Sequence, residues 1–332
     1  MRVPVAIVAL CITLTGTARA EWLIEDTAVM GTAVHVRAWH EDPVVARAAV
    51  EDALAALREV DETMSPYRPR SDLSRVNERA HLEAVRVGQP LLDVLERAAE
   101  VSELTEGAFD VTFASVGRYY DYRTGVRPDA KTIADKLPAI DWHHVHIDRD
   151  RSEIRFSREG VSIDLGGIAK GYAVEQAIAR MRRHGILHGQ VTAGGDTRLL
   201  GDRVGRPWII GIQDPRDDTR LVTRIPLEDE AIATSGDYER YFDEDGIRYH
   251  HIIDPDSGDS ARKVRSVTII GPDATFTDAF STSVFVLGAE AGLAFIEARV
   301  GYEAVIVDGE GRMHFSTGLA PPGAQVTART AP

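Results

Sequence analysis

The sequence predicts an α+β fold, with antiparallel or mixed sheets and helices packed against them. Two observations carry this. Short runs alternating apolar and polar residues recur along the chain, and turns such as Met30-Gly31 and Asp245-Gly246 join some of them as β-hairpins. Among them stand longer stretches, at residues 42–63, 90–103 and 168–183, whose apolar positions recur every three or four residues and line one helix face. No internal repeat and no linker divides the 332 residues, so residues 21–316 are expected to form a single domain with a substantial core.

The first 20 residues are set apart from that domain. Arg2 precedes an apolar run over residues 3–14, and Ala18-Arg19-Ala20 has the small-x-small form of a secretory cleavage site. The run is too short to span a membrane. Val8-Ala9-Leu10, before Cys11, lacks the small residue that a lipoprotein box places there. Cleavage before Glu21 and release into the periplasm are therefore expected. Losing Arg2 and Arg19 leaves 36 of the 38 Lys plus Arg against 52 Asp plus Glu, hence a formal charge of −16, and no cysteine. Thiol catalysis and cysteine metal ligands are excluded for that form, and its acidity argues against a general nucleic-acid role.

Taken in order, residues 21–39 read as strand, Met30-Gly31 turn and strand. Asp42-Pro43 supplies an N-cap and a first-turn proline for a helix to residue 63, with Val45, Leu54, Leu57 and Val60 among its apolar positions. Pro66 and Pro69 stop regular structure and hold Tyr67 and Arg68 between them. Ser71 then caps a short helix carrying Leu73 and Val76. A tyrosine fixed in this way suits either rigid packing or a stacking platform. A helix over 90–103, a turn at residues 106–110, a loop over 117–128 and a short helix over 130–136 follow. Next comes a hairpin of strands near 145–148 and 153–157. Residues 161–165 alternate and read as a strand that runs through Gly166-Gly167 straight into a helix. That helix ends at His184-Gly185 with basic residues in its last turn. Further strands are expected at 190–193, 208–212, 221–225, 231–234, 264–270 and 304–307, with a hairpin around Asp245-Gly246 and helices at 278–287 and 289–298. The small, proline-rich residues 317–332 are expected to form a disordered tail.

Four groups of small and acidic residues fall at element ends: Asp164-Leu165-Gly166-Gly167, Gly194-Gly195-Asp196, Asp254-Pro255, and Asp278 with Ser281 and Thr282. A strand turning through two glycines into a helix exposes backbone N–H groups, the usual basis of an anion site. Lys170 in the first turn opposes the helix dipole, which suits a bound anion; a surface lysine on a tight connection fits the segment equally. Asp278, Ser281 and Thr282 share one side of a helix, and such hard oxygens suit Mg²⁺. A helix cap at Asp278, with Thr282 bonded back to a carbonyl, is the plain alternative. His250 and His251 are neighbours in a strand, so only one can face a given site, and a buried structural histidine stays open for either. His143, His144 and His146 have neither the spacing nor the thiol partners of a zinc site.

Read together, eight motifs in order resemble one family. They are Met30-Gly31-Thr32; Ser65-Pro66-Tyr67-Arg68-Pro69 with Ser71-Asp72-Leu73-Ser74-Arg75-Val76-Asn77; Gly107-Ala108-Phe109-Asp110; Asp164-Leu165-Gly166-Gly167-Ile168-Ala169-Lys170-Gly171-Tyr172; Ala193-Gly194-Gly195-Asp196; Thr234-Ser235-Gly236; His251-Ile252-Ile253-Asp254-Pro255; and Asp278-Ala279-Phe280-Ser281-Thr282. Over roughly residues 26–308 the chain resembles the FAD:protein FMN transferases, the bacterial flavin transferase family once described as thiamine-biosynthesis lipoproteins.

The resemblance implies an enzyme that binds FAD with Mg²⁺, splits the pyrophosphate, attaches FMN through a phosphoester to a threonine of an acceptor flavoprotein, and releases AMP. It implies flavin, ribityl or adenosine contacts for Met30, Tyr67, Ala108, Phe109 and Asp110. Asp164 and Lys170 would hold the nucleotide and its phosphates, with Ile252 lining the same cleft. The Gly167 carbonyl, Asp278, Ser281 and Thr282 would hold the cation. Lys170 and Asp278 are then catalytic candidates, joined by His251, whose ordinary pKa suits a base for the threonine. Acceptors of the kind the family suggests are membrane redox-complex subunits and periplasmic flavoprotein domains. The chain departs from the family pattern at residues 111–117, where a proline and a Val-Gly-Pro stretch are usual, which implies a different cleft wall. Many relatives are also anchored through a cysteine, and the mature form here has none, which implies an unanchored export. Two other readings fit the same residues: an FAD pyrophosphatase, in which water replaces threonine, and a non-enzymatic FAD-binding protein.

Overall fold

A computed structural model describes residues 21–319; the expected leader and the tail beyond residue 319 lie outside the described residues. The opening hairpin, β1 (Glu21–Val29) and β2 (Thr32–His40), turns at Met30 and Gly31, both with positive φ, as a two-residue turn requires. In α1 (Pro43–Met64), Asp42 caps the first turn through the Val44 N–H, and the stripe Ala46, Ala49, Val50, Ala53, Leu57 and Val60 is buried. Ser71 caps α2 (Asp72–Arg79) as expected. The short β3 (Val85–Arg86) and α3 (Gln89–Leu104) follow. Where the family pattern has prolines, this chain makes a 3₁₀ turn at Val111–Phe113 and one helical turn, α4 (Ala114–Gly117). Then come α5 (Ala130–Lys136), β4 (Val145–Asp148) and β5 (Glu153–Phe156); β3, β5 and β4 form a small antiparallel sheet.

Residues 161–165 are extended, but they are not the sheet strand that their alternation predicts. Side chains stand in for the ladder. Asn77 clasps Ile163 from both sides, its Oδ1 accepting the Ile163 N–H and its Nδ2 donating to the Ile163 carbonyl, each at 2.8 Å. Ser115 Oγ accepts the Ser162 N–H, and the Val111 carbonyl accepts the Asp164 N–H. The backbone is thereby satisfied without a neighbouring strand, as a buried segment must be. Gly166 and Gly167 lead directly into α6 (Ala169–Arg183).

The second half supplies most of the main sheet and two separate two-stranded pieces: β6 (His188–Ala193), β7 (Asp196–Leu200), the separate ribbon β8 (Trp208–Asp214) and β9 (Asp217–Leu227), β10 (Ala231–Gly236), the separate hairpin β11 (Tyr241–Glu244) and β12 (Ile247–His250), and β13 (Val264–Gly271). Then follow α7 (Ala274–Leu287), α8 (Ala289–Glu297), β14 (Glu303–Asp308) and β15 (Met313–Phe315). Thr317–Leu319 close the described chain as a 3₁₀ turn rather than as part of an unstructured tail. Eight strands pair in the order β1-β2-β6-β7-β10-β13-β14-β15, each pair antiparallel. This is the expected α+β class, with antiparallel pairing throughout the large sheet.

The two sheet faces are covered differently. On one face α1, α6 and α7 bury Leu57, Ile178, Val284 and Phe285 against Val34, Val36, Val191 and Val267. On the other the β8–β9 ribbon lays Trp208, Ile212 and Leu227 over Leu199, Ile232, Ile270 and Val305. The site is built where α6 and α7 meet one end of this sheet. There α6 comes so close to α7 that a Cβ on Gly171 would fall 2.1 Å from the Ala274 carbonyl oxygen, so only glycine fits.

Candidate functional site

Three chain reversals bring their residues to one end of the main sheet. Val34 pairs with Ala193, so the Met30-Gly31 turn lies beside the Gly194-Gly195 turn, where the Gly194 N–H donates to the Ala33 carbonyl. Asp196 opens β7 next to the end of β10 that carries Ser235. Ser235 Oγ in turn lies 2.8 Å from Ser281 Oγ and 3.3 Å from Thr282 Oγ1 on α7. Motifs far apart in the chain thus meet at one end of the sheet, which no local pattern encodes.

Asp278 lies in the second turn of α7 and does not cap it; Asp273 does, accepting from the Thr275 and Phe276 N–H groups. The expected helix start at residue 278 is therefore four residues late, and the capping alternative for Asp278 falls away. Ser281 donates to the Asp278 carbonyl, leaving the carboxylate to other partners. Its Oδ2 accepts the Gly171 N–H at 2.9 Å, and its Oδ1 lies 3.5 Å from Lys170 Nζ. Lys170 Nζ bonds directly to Asp196 Oδ2. Asp196 and Asp278 are each 2% exposed, so two buried carboxylates share the ammonium of one partly buried lysine. Burial works against the Lys170 ammonium, but the charges of Asp196 and then Asp278 outweigh it and hold the lysine protonated. The Asp196 carboxyl is pushed up, by burial first and then by the Asp278 charge, against the pull of Lys170.

The start of α6 is less open to an anion than its glycines suggest. The Ile168 and Ala169 N–H groups both donate to the Leu165 carbonyl, and Gly171 is engaged by Asp278. The positive charge at this junction is the Lys170 side chain. Asp164 keeps one oxygen on the Gly166 N–H at 2.7 Å; burial raises its carboxyl, and that hydrogen bond and the Arg240 charge partly offset this. β12 ends at His250, so His251 lies just past the strand expected to hold both, and the two rings differ in their partners rather than by strand alternation. His250 is structural: its Nε2 donates to the Ala261 carbonyl at 2.6 Å and its Nδ1 accepts the Ile252 N–H. His251 has a buried Nδ1 with no hydrogen-bond partner among the described residues. Burial, reinforced by His250, Arg240 and Lys170, lowers its pKa to about 3, so it is a neutral imidazole at neutral pH.

Of the remaining candidates, Phe109 and Gly167 join this centre: a Cβ on Gly167 would meet Thr282 Oγ1 at 3.0 Å and the Phe109 ring at 3.3 Å. Ile252 is buried behind His251, its carbonyl accepting from Ala261. Asp110 is engaged locally. Its oxygens accept from the Thr112 N–H and hydroxyl and from the Trp142 N–H, which makes it a cap and a tether for the cleft wall. Ala108, together with Gly107, Asp254, Pro255, Lys263 and Leu287, lines a cavity of about 180 Å³ that does not reach Lys170 or Asp278. Its volume is below that usual for a drug-sized ligand, roughly 300–1,000 Å³. Tyr67 is 84% exposed and Met30 is partly buried against the core; neither touches the Lys170 cluster.

Among the described residues no three His, Cys, Asp or Glu side chains gather as a metal site. At residues 143–146, His143 pairs with Asp141 and His144 with Ser157. The set implied for Mg²⁺ is of another kind: one carboxylate, two hydroxyls and a peptide oxygen. Gly167 packs on Thr282 and Ser235 on Ser281 and Thr282, which lie one turn beyond Asp278 on the same side of α7, and the chemistry of these residues fits such a cation. Asp196 and Ser235, which the sequence shows only as members of their motifs, also belong to this centre. Their signal was the position of small and acidic residues at strand ends.

A family model described as the ApbE family matches residues 30–306. A FAD:protein FMN transferase of Vibrio cholerae is 37% identical over 248 residues, covering 73% of this chain and 74% of that protein. One from Treponema pallidum is 30% identical over 323 residues, covering 92% and 89%. The solved structure of the ApbE protein of Thermotoga maritima is similar with a TM-score of 0.83 at 34% identity, over 90% of this chain and 98% of that one. With the ordered motifs and the antiparallel sheet that gathers them, these likenesses show that the chain belongs to the ApbE family.

Proposed function

We propose that the chain transfers FMN from FAD to a threonine hydroxyl of an acceptor flavoprotein, in a Mg²⁺-dependent reaction that releases AMP. The relatives named FAD:protein FMN transferases support the activity class. The observation that carries the finer reading is the buried Lys170–Asp196–Asp278 cluster close to a neutral His251 whose Nδ1 is free. The threonine oxygen attacks the FMN-side phosphorus, the P–O–P bond breaks, and the electron pair leaves with AMP. His251 takes the threonine proton at Nδ1, a role open only to a neutral imidazole. Lys170, kept protonated by its two carboxylates, offsets charge on the phosphates. Asp278, with Ser281, Thr282 and the Gly167 carbonyl, would hold the cation, which when bound neutralises charge on the pyrophosphate and the leaving group. Asp164 and Phe109 orient the nucleotide beside this centre, and Tyr67, Met30, Ala108, Asp110 and Ile252 shape the surrounding cleft.

The leader pattern supports action in the periplasm on redox-complex subunits or flavoprotein domains. No helix among the described residues is long and apolar enough to cross a membrane. Incubating the mature chain with FAD, Mg²⁺ and an acceptor domain should add one FMN to the acceptor and release one AMP, both read by mass spectrometry. Free FMN and AMP without acceptor modification would favour hydrolysis, and unchanged FAD would favour a binding protein. Asp278→Asn should keep the fold, lower the transfer rate by orders of magnitude and respond to excess Mg²⁺, whereas His251→Ala should be slow at every Mg²⁺ concentration. Wild-type Mg²⁺ dependence in Asp278→Asn would sink the cation assignment.

A further inference from the structure

We propose that Asp196 is a positioning residue that holds the Lys170 ammonium off Asp278, so that Asp278 Oδ1 stays open to a divalent cation. The inference rests on the cation reading of Asp278 given above. One partly buried lysine faces two buried carboxylates, and its ammonium is not shared evenly. Lys170 Nζ bonds directly to Asp196 Oδ2 and stands 3.5 Å from Asp278 Oδ1. The other oxygen of Asp278 is fixed by the Gly171 N–H at 2.9 Å. Oδ1 is thus the one oxygen of that carboxylate not held by a short hydrogen bond, and Ser281 and Thr282, both tied to Ser235, follow Asp278 by three and four residues on the same side of α7.

The formal charges of Lys170, Asp196 and Asp278 sum to one negative, in a place where each carboxylate is 2% exposed. A lysine free to close on Asp278 would cancel that charge where a cation binds, and it would compete with the cation directly. Asp196 prevents this by holding the ammonium as the first residue of β7, immediately after the Gly194-Gly195 turn, which leaves its backbone little freedom. The same arrangement keeps Lys170 beside the cation site rather than in it, where its charge can meet a phosphate oxygen.

The proposal makes Asp196 and Lys170 energetically coupled in cation binding, which a double-mutant cycle measures. Mn²⁺ is titrated into the purified mature chain, without FAD, and free Mn²⁺ is read by electron paramagnetic resonance, with thermal melting as the check on folding. Asp196→Asn should weaken Mn²⁺ binding by about tenfold or more, the effect of moving a full charge by about an ångström at this range. Removing the competing charge should reverse the loss: Asp196→Asn combined with Lys170→Met should return to within about threefold of Lys170→Met alone. Losing a buried partner can unfold a protein, so Lys170→Arg, whose longer fork can reach both carboxylates, supplies an independent arm and should also weaken Mn²⁺ binding. Equal Mn²⁺ affinity in wild type, Asp196→Asn and Lys170→Arg would overturn the proposal, as would a loss in Asp196→Asn that removing Lys170 does not relieve. A wild type that binds no Mn²⁺ would overturn the cation reading as well, which separates the two failures.

Discussion

Histidine in water is half protonated near pH 6.5, yet His251 is lowered to about 3 by burial and by the nearby charges of Arg240 and Lys170. Its ring signals, followed by NMR, should therefore not move between pH 8 and pH 5; a midpoint near 6.5 would remove the neutral base from the mechanism. Tyr67 is the opposite case, a side chain that packing hardly uses. At 84% exposed it contributes little to the core, although its N–H is held by Ser65 Oγ at 3.3 Å between the two prolines. Tyr67→Ala should leave the melting temperature near wild type. It should weaken FAD binding by roughly 5- to 150-fold, since an aromatic stacking contact is worth about 1–3 kcal/mol. Calorimetry decides this: unchanged affinity would make the tyrosine a structural ornament of the Pro66–Pro69 turn.

At the scale of elements, the site depends on two unusual supports. Residues 161–165 carry the alternation of a strand but take their hydrogen bonds from Asn77, Ser115 and Val111. Asn77→Leu would strand the Ile163 N–H and carbonyl inside the protein, at about 1–3 kcal/mol for each buried group left unpaired. Its denaturation midpoint should fall accordingly, and FAD binding should weaken because Asp164 sits on the same segment. The second support is the α6–α7 contact. A methyl on Gly171 would collide with the Ala274 carbonyl and with Asp278 Cβ, at 2.1 and 2.6 Å. Gly171→Ala should cost about 1–3 kcal/mol or more as the helices separate. It should also weaken cation binding, because the Gly171 N–H that fixes Asp278 moves with its helix. A stable Gly171→Ala protein with wild-type cation affinity would contradict both points.

For the whole molecule, His250 and His251 tie folding to pH. Both are depressed in the folded chain, His250 to about 4 and His251 to about 3, against about 6.5 when unfolded. Between those values the unfolded chain binds more protons, so their contribution is full above pH 6.5 and is lost as pH falls through the folded values. Each histidine can add a slope of up to about 1.4 kcal/mol per pH unit in that window. Asp110 and Asp164, raised by burial, act in the opposite sense. The histidine part is therefore read as a difference: urea midpoints at pH 7.5, 6 and 5 should fall more steeply for wild type than for His250→Gln. Parallel lines would show that His250 is not held neutral in the fold.

The sequence by itself determined the fold class, nearly every helix, the capping residues Asp42 and Ser71, the two-residue hairpin turns and the order of the motifs. These are written in periodicity and in side chains that act on their own neighbours. It could not decide whether residues 161–165 would enter a sheet, because an extended chain satisfied by Asn77 and one satisfied by a strand have the same alternation. It placed the start of α7 at Asp278 rather than Ala274 because Asp273 and Asp278 are equally good caps in isolation; burial against Gly171 separated them. Nor could it show that Lys170 would choose Asp196 over Asp278, or that His250 would be structural and His251 free. Those outcomes depend on groups brought together from positions 11 to 108 residues apart, and only the tertiary packing sets their distances and removes the water that would otherwise screen them.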